Sequence, residues 1–148
     1  MGFLGASVRG LLAATVVAGL AGCATVAQES RPVKAVYHLT NGLDEAQRAM
    51  GNIRNHLNAD PKAKLVVVGN GNGIEFMLDG AKDRNGNPFD ATIQDLKAKG
   101  VEFRLCNNTL VTRKIDKSKV IPEVAIVESG VAEAARLQIR EGFAYLRP

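Results

Sequence analysis

Val101-Glu-Phe-Arg-Leu-Cys-Asn-Asn-Thr-Leu110 reads as a strand that ends on a cysteine and turns at once into a short helix. Val101, Phe103 and Leu105 alternate with Glu102, Arg104 and Cys106, the period-two pattern of a strand. On that period Arg104 and Cys106 share a face, which puts a guanidinium within reach of the sulfur. Asn107, Asn108 and Thr109 are good N-cap residues. A cysteine just ahead of a helix start meets unpaired N–H groups and the positive end of the helix dipole, and both favour the thiolate. The alternative is a buried strand-end cysteine without chemistry, since free cysteines are among the most buried residue types.

Working outward, apolar runs alternate with helical stripes. Upstream, Val33 to Leu39 reads as a first buried strand, bounded by Pro32 and Thr40-Asn41-Gly42. Leu43, Ala46, Met50, Ile53 and Leu57 recur at three and four, one helical stripe, with Asp44 and Glu45 near its start. Lys64 to Gly69 is a second buried strand, and Asn70-Gly-Asn-Gly73 turns it into a short helix over Ile74 to Leu78. Asp79 to Pro88 is a polar loop, and Ala91, Ile93, Leu96 and Ala98 mark a helix ended by Gly100. Downstream, Thr109 to Arg113 makes one or two helical turns, and Ile115 to Ile121 is helical or irregular. Val124 to Val127 reads as a fourth buried strand. Val131 to Arg140 reads as a helix capped by Gly142, and Phe143 to Leu146 as a short terminal strand.

This alternation predicts a single α/β domain of three layers, with a mostly parallel sheet of about five strands covered on both faces. Ligands and chemistry in such sheets collect beyond the carboxyl ends of the strands. Four segments then meet at one edge: 38–41, 69–73, 106–109 and 128–130. They bring together Cys106, His38, Asn70 and Gly71, with Arg104, Asn107, Asn108 and Thr109 beside the cysteine.

The 148 residues suffice for one domain, 46% hydrophobic and 23% charged, an ordinary globular balance. The net charge of +4 comes from scattered basic residues without interleaved aromatics, which argues against nucleic-acid binding. Two histidines and one domain cysteine lack a zinc spacing, so neither a metal nor a cofactor is expected. His56, beside Leu57, reads as a surface residue. The glycine turn matches neither the phosphate-loop nor the dinucleotide fingerprint. It reads either as a tight strand-to-helix turn or as an anion cradle. Six residues, none a glycine, separate Cys106 from Arg113, so the cysteine-phosphatase spacing of five is absent. Arg113, Lys114, Lys117 and Lys119 form a basic stretch, either a solvated face or a dock for an acidic partner.

Residues 1–22 read as a leader rather than as fold. Arg9 precedes the apolar run Leu11 to Leu20, which is too short to span a bilayer but suits the core of a signal peptide. The run ends in Leu20-Ala21-Gly22-Cys23, which resembles the lipobox of bacterial lipoproteins. The resemblance implies cleavage before Cys23, lipid on its sulfur, a tether over 23–32 and a domain over 33–148. It also implies a bacterial envelope location on the periplasmic side, attached to the membrane through lipid only. Ala24 in place of Asp favours the outer over the inner membrane by analogy with lipoprotein sorting. The alternatives are an ordinary secretory signal cut near Ala24 or Ala27, and an uncleaved anchor.

The domain resembles the DsrE/DsrF-like family of small α/β sulfur-relay proteins. The residues that carry the resemblance are Lys34 to Leu39, Leu65 to Gly71, Gly100 to Leu110, and Ser129 to Glu133 leading to Gly142–Leu146. The most specific block is Gly-Val-x-Phe-x-x-Cys-x-Asn-Thr-Leu, residues 100–110. Family relay members carry a persulfide on a cysteine at this strand end, and Cys106 matches it. The resemblance also implies homo-oligomers or hetero-oligomers with DsrE-like partners, and a sulfur donor or acceptor protein. Well-known relay members work in the cytoplasm, whereas this chain carries an export signal. The sequence therefore supports a sulfur carrier or thiol-handling protein acting through Cys106, with sulfurtransferase-like activity. The alternative is a noncatalytic binding or assembly module on the same fold.

Overall fold

The computed structural model describes Gly2 and residues 31–148; the leader, Cys23 and nearly all of the tether lie outside the described residues. Pro32–Pro148 forms one compact unit. Its strands are β1 (Lys34–Leu39), β2 (Lys64–Gly69), β3 (Glu102–Cys106), β4 (Ala125–Val127) and β5 (Ala144–Leu146). Its α-helices are α1 (Leu43–Ala59), α2 (Phe89–Ala98), α3 (Asn107–Arg113) and α4 (Gly130–Glu141). Two 3-10 turns cover Gly71–Met77 and Lys117–Lys119. The sheet order is β4-β3-β2-β1-β5 and every pairing is parallel. The five-stranded α/β domain expected from the alternation is the one observed.

Alternation along the strands splits the core in two. Ala35, Tyr37 and Leu39 of β1, Leu65 and Val67 of β2, and Phe103 and Leu105 of β3 face α1, α2 and the Gly71–Met77 turn. α1 offers Ala46, Ala49, Met50, Ile53 and Leu57, the stripe its periodicity predicts. Phe76 packs edge-on against Phe89 and Phe103, with ring centroids 5.7 and 6.3 Å apart. On the other face Val36, Val66 and Val68 meet Leu137 of α4 and Phe143.

The start of α1 is closed by Glu45. Its buried carboxylate, 1% exposed, accepts hydrogen bonds from the backbone N–H groups of Thr40 (2.5 Å) and Asn41 (2.6 Å). That fixes the turn leaving β1, where His38 stands. α4 begins with the Ser129 hydroxyl accepting from Ala132 N–H (3.4 Å) and ends at Gly142, whose φ of 72° is the left-handed cap a glycine supplies.

One expectation fails. Val124 to Val127 reads as buried, but β4 is the outer strand beside β3, and Ala125 and Ile126 are exposed. An apolar run records side-chain type and not strand order, and only strand order decides which strand is flanked on one side.

α4 is clamped to β3 by charge as well as by packing. Arg104 pairs with Glu133 and, at 2.6 Å, with Glu102; Arg136 pairs with Glu133 at 2.8 Å and with Glu141 at 2.5 Å. Hydrogen bonds from Arg136, opposed by burial and supported by Arg104, hold the Glu133 carboxyl below its ordinary range. The stabilisation is therefore complete above the unfolded-state carboxyl pKa and is lost as pH falls through the lower folded value. Glu133→Gln is expected to lose about 1–2 kcal/mol at neutral pH, between the exposed and buried cases. The gap from wild type should close in acid below the folded value, as read by thermal melting at both pH values. An equal gap at both would assign the effect to packing.

Candidate functional site

The carboxyl ends of β1, β2 and β3 and the first residues of α4 form one edge. Cys106 is the last residue of β3 and the N-cap position of α3, with φ −72° and ψ 115°. It is a free cysteine, 5% exposed. Burial pushes its thiol pKa up, but four donors outweigh that and bring it below the ordinary cysteine value. They are Gly130 N–H, the Thr109 hydroxyl, Thr109 N–H and Asn108 N–H. Three come from the first turn of α3 and one from the first residue of α4, so two helix starts converge on one sulfur.

The Thr109 hydroxyl is oriented by its own partner. Its Oγ1 accepts from Gly71 N–H at 3.0 Å, which leaves its single proton to be directed at the sulfur. Gly71 is thereby tied to the cysteine through Thr109. Asn108 N–H is shared between the sulfur and Glu128 O (3.2 Å), while the Asn108 side chain is exposed. Asn107 contributes no donor to the sulfur, and its Oδ1 is buried without a hydrogen-bond partner among the described residues.

Asn70 and His38 form the neighbouring wall. Gly130 is wedged between Asn70 and Cys106: a Cβ built on it would stand 3.1 Å from Asn70 Cβ and 3.2 Å from Cys106 Cβ. Asn70 Oδ1 lies 2.6 Å from His38 Nε2, and the Tyr145 hydroxyl lies 2.8 Å from His38 Nδ1. An amide oxygen only accepts, so Nε2 carries the proton in this arrangement. In the neutral ring, Nδ1 then accepts from Tyr145. His38 is 8% exposed and bonds two side chains, not the backbone carbonyl that usually holds a strand-end histidine.

Arg104 shares a face with Cys106, as the period predicts, but its guanidinium is committed to Glu102 and Glu133 and adds nothing to the sulfur. His56 is half-buried, its Nδ1 3.0 Å from the Tyr37 hydroxyl, away from this edge. The glycine turn is tight, with Gly71 at φ 57° and Gly73 pressed on the end of β1. Arg113 reaches back to this turn, pairing with Glu75 at 3.1 Å, and Lys114 is the left-handed cap of α3 at φ 53°. Among the described residues no three His, Cys, Asp or Glu side chains converge as a metal site would require. Cys23 lies outside the described residues.

Nothing in the sequence marks Gly130 or Tyr145 as a site residue. Ser129-Gly130 was legible as a helix start at the right edge, but a glycine that donates to sulfur is visible only in three dimensions. Tyr145 was legible as a strand residue, and its neighbour depends on β5 pairing with β1.

Comparison with known proteins agrees with this architecture. A protein of unknown function from Methanobacterium thermoautotrophicum, MTH1491, superposes with a TM-score of 0.69 at 26% identity, covering 78% of this chain and 99% of that one. The ychN protein from E. coli gives 0.62 at 18% identity, covering 80% and 99%, and shares the fold. No curated protein matches. The sequence profile of the DsrE/DsrF-like family matches residues 33–148, which is the whole sheet and the whole cysteine edge. The chain belongs to the DsrE/DsrF-like family.

Proposed function

We propose that this protein is an envelope-anchored sulfur carrier that holds sulfane sulfur as a persulfide on Cys106. The observation that carries the proposal is the set of four donors that lowers the Cys106 thiol pKa in spite of burial. Thiolate is the nucleophile in sulfur exchange. In the loading step the Cys106 thiolate attacks the terminal sulfur of a persulfide or polysulfide donor. A new S–S bond forms, the donor's S–S bond breaks, and the donor leaves as a thiolate. Net oxidation state is conserved. Unloading onto an acceptor thiolate repeats the exchange, and the donors around Cys106 stabilise it as the leaving group.

The lipid anchor on Cys23 is part of this reading and rests on Leu20-Ala21-Gly22-Cys23. So is assembly into homo- or hetero-oligomers with DsrE-like partners, for which α4 offers exposed Val131 and Ile139, the latter 85% exposed. A second reading, a noncatalytic assembly module, draws on the same exposed residues and on the low exposure of Cys106.

Intact mass separates the two. Residues 24–148, exposed to polysulfide, are expected to gain one sulfur that reductant removes, and the Cys106→Ser protein is expected to gain none. Folded wild-type protein with reduced Cys106 and no mass gain would favour the assembly module.

A further inference from the structure

The end of the sheet opposite the cysteine edge has its own chemistry. Each helix that crosses between parallel strands returns the chain to the strand starts. The ends of α1, α2 and α4 therefore share an edge with the starts of β1, β2, β3 and β5. That edge is cationic. Lys34 and Lys64 are register partners, Lys62 lies two residues before Lys64, and Lys97 and Arg140 stand in the last turns of α2 and α4.

Three of its carboxylates are already paired, while Glu123, just ahead of β4, pairs with no cation among the described residues. Asp95, Glu102 and Glu141 pair with Lys99, Arg104 and Arg136, and Asp60 accepts from Lys62 N–H at 3.1 Å. Among the described residues no carboxylate pairs with Lys34, Arg54, Lys62, Lys64, Lys97 or Arg140. Helix dipoles explain cations in the last turns of α2 and α4. They do not explain Lys34, Lys62 and Lys64, which lie outside every helix. The cysteine edge is more evenly balanced: Arg84 pairs there with Asp44 and Arg113 with Glu75, and Arg147, which no carboxylate pairs with among the described residues, is set against exposed Glu128.

Two grooves open on the cationic edge. One, of about 590 Å³, has Leu57, Pro61 and Leu96 with Arg54 and Lys99 in its lining. The other, of about 300 Å³, has Lys34, Lys64 and Arg104 in its lining together with Glu102 and Glu141, both already paired with arginines. Apolar surface bordered by cations suits a phospholipid headgroup and its glycerol.

We infer that this edge lies against a bilayer and takes its anionic headgroups, leaving Cys106 facing the aqueous side. The inference rests on the lipid-anchor reading. Pro32 and Val33 enter β1 at this edge, and the ten residues from Cys23 to Pro32 span at most about 35 Å when extended. A tether of that length lets either edge meet the surface, and charge selects this one. Each cation held near an anionic surface strengthens attachment about fivefold, and salt weakens the effect.

The test uses the mature protein reconstituted through its own lipid. One set of vesicles is phosphatidylcholine alone, the other one part phosphatidylglycerol to three of phosphatidylcholine. A small amine-acylating reagent is added, and each lysine's rate is read by peptide mass. Lys62, Lys64, Lys97 and Lys99 are expected to react severalfold more slowly on the anionic vesicles than on the neutral ones, while Lys114 is unchanged. Added salt is expected to erase the difference. Equal rates on both vesicles, with lipid confirmed on Cys23 by mass, overturn the surface assignment alone. Protection that is equal on both and rises with protein density assigns the edge to a second copy and overturns the proposal. Mature protein without lipid on Cys23 overturns the anchor and the proposal with it.

Discussion

Gly73→Ala is expected to destabilise the domain by about 3 kcal/mol or more, the upper range of overpacking effects. A Cβ on Gly73 would stand 2.0 Å from Leu39 O, 2.2 Å from Leu39 C and 2.6 Å from Thr40 N. All three are backbone atoms at the end of β1, so no rotamer change relieves the clash. The turn must lift away, and it carries Ile74, Phe76 and Met77, which are fully buried. Phe76 is the hub of the aromatic contacts with Phe89 and Phe103. Urea unfolding at neutral pH measures the effect. Gly51→Ala is the control: its Cβ meets nothing within 4 Å and it lies inside α1. There the substitution is expected to stabilise by up to about 1 kcal/mol through helix propensity. Two small shifts of the same sign would contradict the close approach of Gly73 to β1.

Gly130→Ala should separate reactivity from stability. Gly130 opens α4, where alanine is the better helix former. Its new Cβ would be crowded by Asn70 Cβ, by Cys106 Cβ and, at 3.3 Å, by Gly69 O. Asn70 is held by His38, and Gly69 O is backbone, so neither gives way readily. The start of α4 moves off, and the Gly130 N–H that lowers the Cys106 pKa moves with it. The thiol pKa then rises, and each unit of rise cuts the thiolate fraction about tenfold at a pH below it. Alkylation rate against pH reads this directly. The wild-type protein is expected to reach half its maximal rate at lower pH than the same protein in denaturant. Gly130→Ala is expected to lie between them, losing up to about tenfold in rate at neutral pH with a melting temperature nearly unchanged. A variant that matches wild type across the profile would remove Gly130 from the account of the sulfur.

Much of this architecture is written locally. β2 has the bounds its apolar run predicts, and Gly142 caps α4 as glycine should. Period-two alternation along β3 sorted Phe103 and Leu105 from Arg104 and Cys106 correctly, because side-chain direction in a strand is a local property. What pairs with what is not local. Arg104 was legible as a neighbour of Cys106 along the strand, but Glu133 lies 29 residues away and claims its charge. Glu45 was legible as an acid favourable near a helix start. Its burial on the Thr40 and Asn41 N–H groups follows from how tightly β1 turns into α1. The same distinction explains β4, whose apolar residues gave no sign that the strand would be last in the row.

The position of β5 has a consequence for how the protein is made. The first strand is not at an edge of the sheet. It is flanked by β2 on one side and by β5 on the other, and β5 is synthesised last of the five. β1 to β4 can pair as they emerge, but the far side of β1 stays an open edge until residues 144–146 arrive. Those residues bring Tyr145, 41% exposed, to the buried Nδ1 of His38. The wall beside Cys106 is thus completed by the last strand of the domain. Until β5 has paired with β1, His38 lacks the tyrosine at its Nδ1. The hydrogen-bond chain beside Cys106 is therefore the last part of this edge to be assembled, after β1 to β4 have been made.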